Sequence, residues 1–359
     1  SLEKTATMEV SFPSADKSFQ IFGNLSLPQQ TTKNKEEGNA KQEPTKIPAI
    51  LMIAGSGPID RNGNVAGWLT GISLNTSNRF AESITSSRQE IAVLSYDKRG
   101  VGKSVHPTDK NWYYRAGMMD LVSDAVEALR FLQNHPAIDP ASITVLGHSE
   151  GAIVLPLISQ QLRSTADSTR LSHPLKGAIF LSGFGENLFD AMTFQQENAL
   201  LAVQEETGIK GWCLRKVVTK ERVDKQLNHL MQKINDSDND YVSMHCGLTK
   251  VPAKWFREHK TYNVQATLAD EMTCHCLAIT GKKDVQVRHE FCLTTAAEQL
   301  VPKAASVEAH VPEHLTHVLR SLEGPSNILK VKEDYVRMGK LPLDPELLSI
   351  ISNWCNRVL

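Results

Sequence analysis

The chain has 359 residues, 41% of them hydrophobic, enough for one large α/β domain or for two domains. Lysine plus arginine number 39 and aspartate plus glutamate 40, a formal charge of −1 with no basic stripe. That balance argues against nucleic acid or an anionic membrane surface as the main partner. No run approaches the roughly 20 apolar residues of a transmembrane helix.

The start, Ser1-Leu2-Glu3-Lys4, lacks the apolar core of a signal peptide, which favours the cytoplasm. The absence of an initial methionine leaves room for a removed leader. Six cysteines are present: Cys213, Cys246, Cys274, Cys276, Cys292 and Cys355. In a chain this long an even number permits disulfides without requiring them. Cys274-His275-Cys276 looks at first like a metal cluster. Strand alternation, however, puts the two cysteines on one face and His275 on the other, so buried strand residues are expected and no metal.

Residues 7–28 alternate in two extended segments and predict a leading antiparallel pair. Residues 29–46 are almost wholly polar and predict a flexible surface loop. Ile47 to Ala54 is a continuous apolar run, the mark of a strand buried on both faces. It ends in the glycine-rich loop Gly55-Ser56-Gly57-Pro58-Ile59-Asp60-Arg61-Asn62-Gly63-Asn64. The loop lacks the Gly-Lys-Ser/Thr ending and the Gly-x-Gly-x-x-Gly spacing of nucleotide cradles. Its other reading is a backbone donor for an oxyanion.

A helix is expected from Ser77 to Arg88, a buried strand over Ile91–Tyr96 and an amphipathic helix from Met118 to Leu132. Asp139-Pro140-Ala141-Ser142 punctuates before an apolar strand, Ser142–Leu146. That strand runs into Gly147-His148-Ser149-Glu150-Gly151, and a helix follows to about Arg163. Gly-x-Ser-x-Gly between a strand and a helix is a nucleophile elbow, a turn so tight that side chains at the glycines would strike backbone. It holds Ser149 proud of the sheet edge at a helix N-terminus, where negative charge is favoured. After the strand Gly177–Ser182 the alternation breaks. Residues 186–271 read as a helical cap or lid with no convincing buried strand. The rhythm resumes with a strand at Cys276–Thr280, a helix at Phe291–Leu300, a strand at Ala305–Ala309 and a closing helix from Pro345. The fold class is α/β with a mostly parallel sheet flanked by helices.

Three motifs together carry a resemblance. They are Gly-Ser-Gly-Pro-x-Asp-Arg-x-Gly-Asn at 55–64, Tyr-Asp-x-Arg-Gly-x-Gly-x-Ser at 96–104 and Gly-His-Ser-Glu-Gly at 147–151. In these the chain resembles the carboxylesterase-like branch of the α/β-hydrolase superfamily, and the resemblance covers nearly its whole length. It implies an α/β-hydrolase core over 1–185 and 272–359, with the cap inserted between. It implies a serine hydrolase that cleaves a carboxylic ester of a small, partly hydrophobic molecule, with no cofactor. The superfamily's order of nucleophile, acid and histidine implies Ser149, Asp284 and His317, with His314 and His310 as competitors for the last place. The oxyanion donors implied are the backbone N–H of Glu150 and that of Ser56, with Gly57 next. Asp60, Arg61, Asp97 and Arg99 are expected to brace the loops. A thioesterase or lactonase would use the same parts, and a non-catalytic hydrolase-fold binding protein is the reading from another class. Labelling of Ser149 by a fluorophosphonate separates these last two.

Overall fold

The computed structural model describes residues 6–28, 46–65, 72–86, 90–164, 172–244 and 249–359. The polar loop expected at 29–46 lies, but for Lys46, outside the described residues, as do the end of the first predicted helix and Cys246.

The chain opens with strands β1 (Ala6–Pro13), β2 (Gln20–Leu27) and β3 (Ile47–Ile53). Helix α1 (Thr76–Thr85), strand β4 (Ala92–Tyr96), the single turn α2 (Trp112–Arg115) and helix α3 (Met118–Asn134) follow. Next come β5 (Ile138–His148), α4 (Glu150–Ser164) and β6 (Gly177–Leu181). Helices α5 (Leu188–Glu205), α6 (Gly208–Val217) and α7 (Lys220–Asn235) then interrupt the alternation. They are joined by short strands β7 (Val242–Met244) and β8 (Thr249–Val251) and by helices α8 (Ala253–Thr261) and α9 (Val264–Glu271). The chain closes with β9 (His275–Ile279), α10 (Thr294–Leu300), β10 (Ser306–His310), α11 (Val331–Met338) and α12 (Pro345–Val358).

Eight strands form one sheet in the order β1-β2-β4-β3-β5-β6-β9-β10. β1 and β2 pair antiparallel, β2 joins β4 antiparallel, and every later pair is parallel. Parallel strands need covering on both faces, which is why β3, β4 and β6 read as unbroken apolar runs. Val122, Leu129, Ile153 and Ile158 of α3 and α4 pack on one face. Phe80, Ile84, Ile351 and Trp354 of α1 and α12 pack on the other. The sheet order reverses at β3, whose neighbours are β4 and β5, so a crevice opens beyond the carboxyl ends of these strands.

Three elements differ from expectation. β5 starts at Ile138, earlier than expected, because Asp139-Pro140 does not end the strand. Ile47 pairs with Ile138 and Ala49 with Ile143, so the proline sits in an irregularity where its missing N–H breaks no ladder bond. The helix expected over Phe291–Leu300 is a 3₁₀ turn, Glu290–Cys292, followed by α10, because Leu293 is extended (ψ 137°). The segment after β6 contains the small antiparallel pair β7–β8, too short to show in the pattern. No helix among the described residues is long and apolar enough to cross a membrane.

Candidate active site

Ser149 sits between β5 and α4 with φ of +55°, a left-handed conformation that a non-glycine residue adopts only when its surroundings impose it. The surroundings are backbone. A Cβ on Gly147 would strike the Gly151 carbonyl, and one on Gly151 would strike the Ile53 carbonyl at the end of β3. The Ser149 N–H donates to the Leu181 carbonyl of β6 at 2.8 Å, which fixes the turn to the neighbouring strand. Ser149 is half-buried.

Asp284 and His317 meet at the same sheet edge. The turn after β9 carries Asp284, and the loop after β10 carries His317. His317 Nδ1 donates to Asp284 Oδ2 at 2.9 Å, and both residues are buried. Asp284 Oδ1 accepts the N–H groups of Gln286 (2.8 Å) and Val287 (3.1 Å), so the carboxylate cannot rotate away. With the proton on Nδ1, Nε2 of His317 is left as an acceptor. The competing histidines lie elsewhere: His314 faces Glu323 at 3.8 Å and His310 faces Glu308 at 3.6 Å.

The His317 loop is anchored from two sides. His148 Nε2 donates to the His317 carbonyl at 2.8 Å, tying it to the nucleophile turn. Arg320, fully buried, donates to Thr76 Oγ1 at 2.8 Å and to the carbonyls of Val318 and Leu74. Burial pushes its guanidinium down to about 10, which still leaves it charged at neutral pH. Ser149 and His317 themselves share no hydrogen bond among the described residues. Such a bond is commonly loose until substrate is bound.

The loop after β3 lies against the serine. A Cβ on Gly55 would stand 3.0 Å from Ser149 Cβ and 3.6 Å from its hydroxyl. The N–H groups of Ser56 and Gly57 donate to nothing among the described residues. Glu150 opens α4, so its N–H has no intrahelical acceptor. Asp60 Oδ1 accepts from the N–H groups of Asn62 and Asn64, each at 2.9 Å, and closes the glycine loop on itself. Asp97 accepts the Arg61 N–H at 2.7 Å, and Arg99 makes a two-pronged pair with Asp124, both bonds 2.7 Å. A cavity of about 170 Å³ adjoins this loop, its wall including Gly57, Lys98, Glu150, Leu121, Trp255 and Phe256.

Sequence reasoning missed the buried polar cluster around Glu150. Its carboxylate pairs with Lys98 at 3.0 Å and accepts from Trp255 Nε1 and from His259 Nε2 at 3.3 Å. Burial pushes the Glu150 carboxyl up, but Lys98 and His259 outweigh it and hold it near 2. Lys98 was legible only as an unassigned position in the motif at 96–104. His275, by contrast, bonds Ser306 at 2.8 Å while Cys276 is buried in the core.

The eight-strand order, antiparallel at β1–β2 and parallel beyond β4, with the nucleophile turn after the central β5, decides the fold. The chain adopts the α/β-hydrolase fold. No protein-family model matches the sequence, and no curated protein does. Solved structures match this hydrolase fold over nearly its whole length. A hypothetical protein PA2218 from Pseudomonas aeruginosa is 13% identical, covering 99% of this chain and 95% of its own, with a TM-score of 0.53. The esterase Est22 is 13% identical over 99% of this chain and 81% of its own, with a TM-score of 0.53. The α/β hydrolase GrgF from Penicillium sp. sh18 is 12% identical over 98% and 99%, with a TM-score of 0.50. Within the α/β-hydrolase fold Ser149, Asp284 and His317 stand in the segments that follow the carboxyl ends of β5, β9 and β10.

Proposed function

We propose that the protein is a serine hydrolase that cleaves carboxylic esters of small, partly apolar molecules through an acyl-enzyme intermediate. The observation that carries this reading is the Asp284–His317 bond at 2.9 Å, made at the sheet edge where Ser149 is held at φ of +55°. A serine hydroxyl attacks poorly until a base removes its proton. His317 Nε2 takes that proton as Ser149 Oγ bonds the ester carbonyl carbon. Asp284 stabilises the imidazolium and keeps Nδ1 protonated. The carbonyl oxygen becomes an oxyanion, met by the N–H of Glu150 and that of Ser56 or Gly57. His317 then protonates the departing alcohol. Water repeats the sequence on the acyl-enzyme and releases the acid.

Residues 186–271 form the cap in this reading. Trp255 and Phe256, from that segment, wall the cavity together with Leu121 from α3. A cavity of about 170 Å³, mostly apolar but with Lys98, Arg99 and Glu150 in its wall, suits a compact acyl or alcohol group.

The test is fluorophosphonate labelling of the full chain, followed by a panel of p-nitrophenyl esters, acyl thioesters and lactones. Ser149 is expected to be labelled and Ser149→Ala to be inert. Asp284→Asn and His317→Ala are expected to lower kcat on an activated ester by about 10³-fold or more while the fold survives. Absence of labelling, or full esterase activity in Ser149→Ala, refutes the reading.

A further inference from the structure

Lys98 lies just past the carboxyl end of β4 and is the one buried lysine among the described residues. Its Nζ donates to the Gly55 carbonyl at 2.5 Å and to Glu150 Oε2 at 3.0 Å. A buried ion pair is weak evidence for stability, since apolar groups of the same volume often serve as well. What sets this pair apart is the two residues it joins. One begins the Gly55–Ser56 peptide, and the other carries the N–H at the start of α4. Resting on the ester-hydrolase reading, we propose that Lys98 is a positioning residue, a strut that sets both amide donors of the oxyanion site in register with Ser149.

In a trans peptide the carbonyl and the N–H of one plane point in opposite directions. All described peptide bonds are trans. Holding the Gly55 oxygen on Lys98 therefore turns the Ser56 N–H away from Lys98, and that N–H has no partner among the described residues. The peptide has few other restraints. Ser56 is exposed, and Gly57, with φ of +94°, has nothing within 4 Å of where a Cβ would stand. Without Lys98 the plane is free to rotate about bonds flanked by glycines. The other end of the strut is firm. Glu150 is held by Trp255 and His259 of α8 as well as by Lys98. An ammonium on the carbonyl also polarises the peptide and makes its N–H a better donor.

Such a residue acts on the reaction through the amide donors it holds, although its side chain also forms part of the cavity wall. Its loss weakens binding of the tetrahedral oxyanion and leaves ground-state binding alone. The test uses the full chain and Lys98→Met, which keeps the apolar stem and removes the charge. Wild-type Ser149 is labelled with a fluorophosphonate first. Failure there overturns the hydrolase reading and this inference with it. With labelling established, Lys98→Met is expected to lower kcat on p-nitrophenyl butyrate by about 10- to 100-fold, short of the full loss of one donor. KM is expected to stay within about twofold, and Ki for butylboronic acid, which forms a tetrahedral adduct on serine, to rise by the factor lost in kcat. A kcat within about twofold of wild type, or a rise in KM that accounts for the whole loss, overturns it. Should Lys98→Met leave an unpaired Glu150 and fail to fold, Lys98→Met with Glu150→Leu removes both charges together. The double variant keeps both backbone donors and is expected to show the same kcat loss. Wild-type turnover in it overturns the inference.

Discussion

At the scale of single residues, the nucleophile turn is defined by what cannot be added to it. Gly151 faces the Ile53 carbonyl and Gly147 faces the Gly151 carbonyl, so an alanine at either position moves main chain. Gly57 has φ of +94° but open space around it, so alanine there meets only backbone strain. Gly151→Ala is therefore expected to lower unfolding free energy by about 3 kcal/mol, against about 1 kcal/mol for Gly57→Ala. Urea titration of both variants checks the order, and equal losses would contradict the steric account. Ser149, Asp284 and His317 were singled out because each follows a strand at a position the sequence pattern marks, and the fold brings Asp284 against His317. Lys98 was not readable in that way. Its partners Gly55 and Glu150 are 43 and 52 residues away, and a lysine in a polar loop reads as solvated. Only the fold brings an ammonium into the core there. Arg320 was hidden for the same reason, its bond to Leu74 spanning 246 residues.

At the scale of elements, the segment between β6 and β9 reaches both halves of the site. From α8, Trp255 and His259 bond Glu150 beside the nucleophile. From α5, Gln195 and Asn198 donate to the carbonyls of Gln286 and Val285, each at 3.1 Å, and so clasp the Asp284 turn. The sequence showed Trp255 and Phe256 as scattered apolar groups in a polar stretch. Periodicity identifies such residues without saying which face they cover, because their partners lie on other elements. The strands of the core, by contrast, announce themselves through local apolar runs. The cavity between α3, α8 and the glycine loop gives a direct test of selectivity. Leu121→Trp fills part of its 170 Å³ and is expected to raise KM for p-nitrophenyl octanoate about tenfold relative to acetate. An unchanged ratio would remove this cavity from the account of substrate choice.

At the scale of the whole molecule, the groups that shape the nucleophile turn also set its tolerance of acid. Burial pushes the His148 imidazole down from its ordinary 6.5 to about 4, and the neighbouring His317 adds to the effect. Folding therefore favours the neutral ring. Its contribution is complete above pH 6.5 and is lost as pH falls through about 4. Glu150 acts in a lower window. Burial pushes its carboxyl up, Lys98 and His259 outweigh that, and it falls from 4.5 to about 2. Its contribution is complete above pH 4.5 and is lost as pH falls through about 2. Stability is thus expected to decline in two successive steps on acidification. His148→Gln should flatten the upper step and leave the lower one. Glu150→Gln should flatten the lower step, starting from reduced stability at pH 7 because Lys98 is left unpaired. Urea unfolding across pH 7 to 2 separates the two, since each variant must differ from wild type in its slope within its own window. If wild type and His148→Gln lose stability in parallel between pH 6.5 and 4, the His148 imidazole does not govern the upper step.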